Sequence, residues 1–345
     1  VRRYAPLALV LILVLSGAGV WRTGVYLDHF RYSGDVEEEL MYFPSGRLTE
    51  IASLGFDSLA SAMLWLRGIQ YYGTHKKSDH YFLLAEHIFQ TITDLDPYFL
   101  NAYRFGAFVI SQDMGQPAGG ADLLRKGMRN NFDSWQLPFD LGFLYFVDAK
   151  DEKTAAHYFR MASRFPDAPE IAKRFSAFAY KKAGNYDVAK RLWEEIYEST
   201  TNEAMKDNAV YALKMIEIDE NLVRLDKALA EYRSRRGSAP RGLRDLVTAG
   251  LVRAIPDDPF GGGYFLDPGT GRALNTTKVE LEADRVTAAL KKKIDYYYQR
   301  TGAYPESLGA LAEEDLITEV PEVAGAVIVY DAAHGTVHYV MVEES

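Results

Sequence analysis

The chain has 345 residues, 48% of them hydrophobic and 25% charged, an ordinary globular composition with length for two or three domains. A net charge of −9 with no run of Lys or Arg argues against nucleic acid as a partner. The absence of cysteine excludes disulfides, thiolate catalysis, Cys-ligated metals and a lipidated bacterial N-terminus.

At the N-terminus, Arg2 and Arg3 precede an uncharged run over residues 4–21. Arginines before an apolar run hold that end in the cytoplasm, and the chain beyond the run is exported. Two readings stay open. The dense core at residues 7–15, followed by Ser16-Gly17-Ala18, fits a cleavable signal peptide. The whole run, with Trp21 as an interfacial aromatic, fits a short uncleaved anchor just under the ~20 residues a span usually needs. Either way, residues 1–22 are expected to engage the bacterial cytoplasmic (inner) membrane, with the bulk of the chain on the periplasmic side. Residues 23–55, mixed in character with an acidic patch at Glu37-Glu38-Glu39, read as a stalk.

From residue 56 onward the pattern is helical and repeats. In AGNYDVAKRLWEEIY a tight turn at Gly184-Asn185-Tyr186-Asp187 leads to Ala189, Trp193 and Ile196, spaced i, i+4, i+7 on one helix face. The same spacing recurs at Ala85, Phe89 and Ile92, at Gly120, Leu124 and Gly127, and at Ala155, Phe159 and Ala162. A preceding helix is legible for three of these pairs: Trp65, Gly68 and Tyr72; Leu141, Gly142 and Tyr145; Ser176, Ala177 and Tyr180. Small residues at fixed places let two helices lie close. These residues resemble tetratricopeptide (TPR) repeats, in about four tandem pairs over residues 56–200 with THKKSDH as an insertion in the first. The stretch FPSGRLTEIASLGFDSLASAMLWLRGIQYYG (43–73) is also similar to a group of TPR proteins of the bacterial envelope. Residues 202–237 have few breakers and read as one or two long helices that cap the solenoid and lead onward, with 201–222 taken as the capping helix, since a terminal repeat needs a polar outer face.

The last third is a duplication. YRSRRGSAPRGLRDLVTAGLVRAIP (232–256) aligns at a constant offset with YYQRTGAYPESLGALAEEDLITEVP (297–321). Tyr232, Gly237, Pro240, Leu243, Leu246, Leu251 and Pro256 match Tyr297, Gly302, Pro305, Leu308, Leu311, Leu316 and Pro321. Each copy predicts a long helix, a Gly-x-x-Pro turn, a short helix and a β-hairpin, giving one α+β module over residues 223–280 and a second over 281–345. The duplication judges the busy stretch IPDDPFGGGYFLDPGTG (255–271). In its twin, VPEVAGAVIVYDAAHG, the glycine triplet is gone and Asp257 and Asp258 have become Glu322 and Val323. Of the turn elements only Asp267 and Gly271 persist, as Asp331 and Gly335, so the shared role is a strand–turn–strand. No Gly-Lys-Ser/Thr is present and a strand follows the glycines, which excludes a phosphate loop. Calcium at Asp257, Asp258 and Asp267 stays open for the first copy alone. The helix ending in Tyr232, the Gly-x-x-Pro turn and the Pro-x-Asp-Pro-aromatic-Gly run resemble the soluble domains of type II secretion pseudopilins. The prepilin-type tail of such subunits is absent, so a filament subunit is not implied.

The fold class expected is therefore mainly α: an N-terminal membrane segment, a TPR-like α-solenoid and two tandem small α+β modules. No catalytic group emerges. His-Glu-x-x-His and Gly-x-Ser-x-Gly are both missing, and His75, Asp79 and His80 read as a solvated loop. No cofactor and no metal are expected, and no enzymatic activity. The positive signal is on the helix around residue 142. Leu141, Gly142 and Tyr145 form its packing stripe, while Phe139, Phe143 and Phe146 form a second stripe. A helix apolar on both sides is either enclosed or lines a binding surface. The TPR resemblance implies that first helices line a groove. In that register Phe105 and Phe178 join the surface, with Arg174 and Lys181 near its end. The expected partner is a protein, presenting a helix or extended segment. The competing reading has these aromatics filling the core between repeats. At the level of function the resemblances imply a scaffold in an envelope assembly or secretion system of type II secretion or type IV pilus kind. The alternative is an envelope enzyme or polysaccharide-processing accessory with its site in the C-terminal module.

Overall fold

The computed structural model describes residue 22 and residues 53–342. The expected membrane segment (1–22) and stalk (23–55) lie outside the described residues, apart from Arg22 and residues 53–55. The chain divides into two compact units, Val1–Ala183 and Gly184–Ser345.

The first unit is built of consecutive helix pairs: α1 (Asp57–Lys77) with α2 (Ala85–Leu95), α3 (Leu100–Phe108) with α4 (Pro117–Asn130), and α5 (Gln136–Val147) with α6 (Glu152–Ala162), followed by α7 (Glu170–Lys182). Each helix packs on the next, and helices one pair apart also touch, α3 on α5 and α2 on α4. This is the stacked, TPR-like arrangement that the repeat pattern implies. The repeated faces are its core. Ala85, Phe89 and Ile92, Gly120, Leu124 and Gly127, and Ala155, Phe159 and Ala162 are all buried. Burying a side chain such as Phe159 stabilises the stack by about 1.5–3 kcal/mol relative to exposure. The close approach depends on the small partners. A Cβ at Gly106 would lie 2.6 Å from Cγ of Phe89, and one at Gly142 would lie 2.8 Å from Cδ1 of Phe159.

Polar ties join successive pairs. Lys126 on α4 donates from Nζ to Thr93 Oγ1 (2.8 Å) and Asp94 Oδ1 (2.6 Å) on α2. Asp151 caps α6 by accepting from Thr154 N at 3.1 Å. In the first pair the helix runs further than the insertion reading implies. α1 continues through His75, Lys76 and Lys77, three basic side chains that suit the negative end of the helix dipole. A five-residue π-helical turn, Val109–Asp113, extends α3, with Met114 N donating to Val109 O at 3.0 Å.

In the second unit α8 (Tyr186–Ser199) buries Ala189, Leu192, Trp193 and Ile196 and packs on α9 (Glu203–Arg236). Asn202 caps α9 by accepting from Met205 N. α9 passes unbroken through residue 222, so the expected capping helix and the first module's helix are one element. Gly237, in the left-handed conformation, ends it at φ 69°, and Gly302 ends the later helix α11 (Thr276–Thr301) at φ 79°. L-residues with a Cβ resist that geometry, which is why both copies place glycine there. A short α10 (Arg244–Thr248) and the antiparallel hairpin β1 (Tyr264–Leu266)/β2 (Ala273–Asn275) complete the first module. The second has α12 (Leu308–Glu313) and the hairpin β3 (Ala326–Asp331)/β4 (Thr336–Met341).

The duplication holds in the cores. Leu225, Leu229, Leu243 and Leu246 pack together in the first module. Their counterparts Leu290, Ile294, Leu308 and Leu311 pack together in the second. Strand alternation divides the first hairpin between two partners. Tyr264 and Ala273 join the α9 core, while Phe265 and Leu274 join Val279 and Ala283 of α11 and Val323 and Ala326 of the second module.

Candidate partner-binding groove

The first helices α1, α3 and α5 border a cavity of ≈480 Å³. Phe105, Leu124 and Leu144 contribute its apolar surface, Trp65 stands at the α1 side, and Phe108 and Phe143 form exposed walls, 50% and 44% accessible. Phe105 is the hinge between core and cavity. Its ring meets Trp65 at 5.7 Å, Tyr72 at 5.1 Å and Phe89 at 5.7 Å, all edge-on. Such aromatic pairs are each worth about 0.5–1.5 kcal/mol beyond burial.

Of the residues expected in the groove, the structure brings Phe105 and Phe143 to this cavity. Phe139 goes elsewhere. Its ring packs edge-on against Phe159 of α6 (5.3 Å) and Phe175 of α7 (5.5 Å), so it fills the space between repeats. Phe146 lies against Phe178 at 5.5 Å and packs on the core around Phe159. The reason is that the next first helix, α7, lays Phe175 over the second stripe of α5. Phe143 stays at its uncovered edge. Phe178, one residue after the small Ala177 as Phe143 is one after Gly142, is likewise exposed at 40%, with Lys182 Nζ 5.7 Å from its ring centre. Arg174 and Lys181 are half-buried on α7 and do not line the cavity; the Arg174 Nε is buried without a hydrogen-bond partner.

Sequence reasoning missed the polar rim. Arg104 donates from Nε and Nη2 to the two oxygens of Asp140, a bidentate pair across α3 and α5. Burial pushes the Asp140 pKa above the ordinary carboxylate value, and Arg104 offsets this only in part. Further along, Asp148 accepts from Ser111 Oγ and Gln112 Nε2 of the π-helical turn. A signal for the first pair was available. Arg104 and Asp140 each precede a packing glycine (Gly106, Gly142) by two residues, so equivalent repeat positions carry opposite charges. The π turn left no comparable trace in the spacing.

Two of the three carboxylates of the 255–271 stretch, Asp258 and Asp267, are committed to structure. Asp258 Oδ2 accepts from Asn275 Nδ2 (2.6 Å) and Thr277 Oγ1 (2.7 Å), and its Oδ1 accepts from Phe260 N (2.8 Å). A Cβ at Gly262 would lie 2.7 Å from that same Oδ2, so the glycine makes room for the carboxylate. Asp267 instead caps the hairpin turn through Thr270, while Asp257 is not among these ties. Among the described residues no group of three or more His, Cys, Asp or Glu is placed to hold a metal ion. A cavity of ≈430 Å³ in the second unit is bordered by Arg285, Lys293 and Glu319 among apolar residues, with no carboxylate pair.

No family model matches the chain, and no curated protein matches it. Solved structures do match its helices. YrrB, described as a TPR protein with an unusual peptide-binding site, is 15% identical over 44% of this chain and 83% of its own, with a TM-score of 0.31. TTC0263, a TPR protein of Thermus thermophilus, is 17% identical over 48% of this chain and 96% of its own, with a TM-score of 0.30. MamA is 16% identical over 52% and 97%, with a TM-score of 0.33. These likenesses are too distant to carry any ligand or partner over to this chain.

Proposed function

We propose that this chain is a non-enzymatic scaffold whose helix pairs receive a helix or extended segment of another protein. The observation that carries the reading is the ≈480 Å³ groove with Phe108 and Phe143 exposed on its walls. Large aromatics left half-exposed beside a concave apolar surface are the residue type that dominates binding energy at protein interfaces. Arg174, Phe178 and Lys181 extend the contact surface along α7. The N-terminal apolar run supports a location at the inner membrane with the bulk of the chain in the periplasm. The pseudopilin-like sequence of the C-terminal modules supports a place in a secretion or pilus-type envelope assembly. The scaffold is preferred to the enzyme alternative because Asp258 is held by Asn275 and Thr277 and its twin is Val323, so the two C-terminal modules share no carboxylate there.

Phe143→Ala tests the groove. Truncating an interface aromatic commonly costs about 2 kcal/mol of binding, roughly a 30-fold loss. A fully buried phenylalanine would instead lose about 3–5 kcal/mol of stability. Quantitative capture from detergent-solubilised membranes and thermal melting, on the same variant, separate the two. Unchanged capture with lowered stability would overturn the groove.

A further inference from the structure

The rim of the groove is uneven in charge. Arg104 and Asp140 neutralise each other. Asp148, where α5 ends, has no cationic partner among the described residues; both its oxygens accept from neutral donors, Ser111 and Gln112. Those donors sit on the π-helical turn after α3, a local rewinding that recurs at functional sites. The carboxylate is thereby held in place without being neutralised. Phe108 and Phe143, both about half exposed, line the same cavity. A fixed anion beside aromatic faces complements a lysine or arginine, which gains from both the charge and the ring quadrupole.

We propose that the Asp148 end of the groove recognises a basic side chain of the partner, next to an apolar residue that enters the cavity over Phe105 and Leu144. The partner segment for this part of the groove is thus basic and apolar. The inference rests on the groove reading and adds its charge preference.

Fluorescence anisotropy on the full chain tests it with three short labelled peptides, carrying Lys-Phe, Glu-Phe or Lys-Ser pairs spaced by Gly-Ser. The Lys-Phe peptide should bind about tenfold tighter than either counterpart, and the advantage over Glu-Phe should shrink in high salt. Asp148→Asn should remove that advantage, and Gln112→Lys, which places a cation of the chain's own beside Asp148, should do the same. Phe143→Ala should weaken both the Lys-Phe and the Glu-Phe peptide, the former at least as much. Equal affinity for Lys-Phe and Glu-Phe, with Phe143→Ala still damaging, would overturn the charge preference and leave the groove standing. Binding indifferent to Phe143→Ala, or no binding of any peptide, would overturn both.

Discussion

Asp267 and Asp331 do the same work in two hairpins. Each is followed three residues later by a side chain that hydrogen-bonds to it, Thr270 Oγ1 in the first (2.5 Å) and His334 Nδ1 in the second (2.7 Å), and then by a glycine of positive φ, Gly271 and Gly335. Thr270, first through its hydroxyl and then through its backbone N–H, holds the Asp267 pKa below the ordinary 3.8 despite burial. A carboxyl depressed in the folded state contributes stability above its unfolded pKa, and that contribution is lost as pH falls through the folded value. Asp267→Asn keeps the acceptor shape but cannot titrate. The parent should therefore be more stable than Asp267→Asn at neutral pH, with the gap closing as pH drops below 3.8. Denaturant melts across that range check it; a gap that stays constant would mean the charge is immaterial. The aspartate–glycine pairing was legible because the duplication repeats it. The fate of Asp258 was not, since its partners Asn275 and Thr277 lie beyond the stretch and only the hairpin brings them back.

At the level of the helix, α5 shows why two apolar stripes did not mean one groove. Its first stripe packs through Gly142 against Phe159, which was legible from the small–large–small spacing. Its second stripe was also visible, but periodicity states only that a side is apolar and not what covers it. The neighbour is α7, whose Phe175 takes Phe139 and leaves Phe143 at the edge. The tightness of the first contact is testable. Alanine is the better helix former by up to about 1 kcal/mol, yet its methyl at position 142 meets the fully buried Phe159 ring at 2.8 Å. Overpacking of this kind typically costs about 1–3 kcal/mol. Gly142→Ala should therefore lower stability by about 1 kcal/mol net, and Phe159→Leu in the same chain should recover part of the loss. Gly142→Ala melting at or above the parent would show that the contact relaxes freely. The length of α9 was ambiguous in the sequence because no breaker lies between residues 203 and 236 and a change of partner along a helix leaves no mark on its pattern.

For the whole molecule, the decisive prediction concerns location. The arginine-flanked apolar run should hold the chain on membranes, and removing residues 1–22 should release it. Fractionation of both forms by sedimentation checks this, and a full-length chain found entirely in the periplasmic soluble fraction would leave only the cleavable signal. The sequence by itself determined the helix pairs, the duplicated modules and the role of 255–271 as a turn, because each is written in short-range spacing that occurs more than once. Tertiary structure alone decided which aromatics remain exposed, that Arg104 and Asp140 cancel, and that the π turn delivers Ser111 and Gln112 to Asp148. Those facts depend on contacts about one repeat apart in the chain, and local periodicity carries no information about which neighbour arrives there.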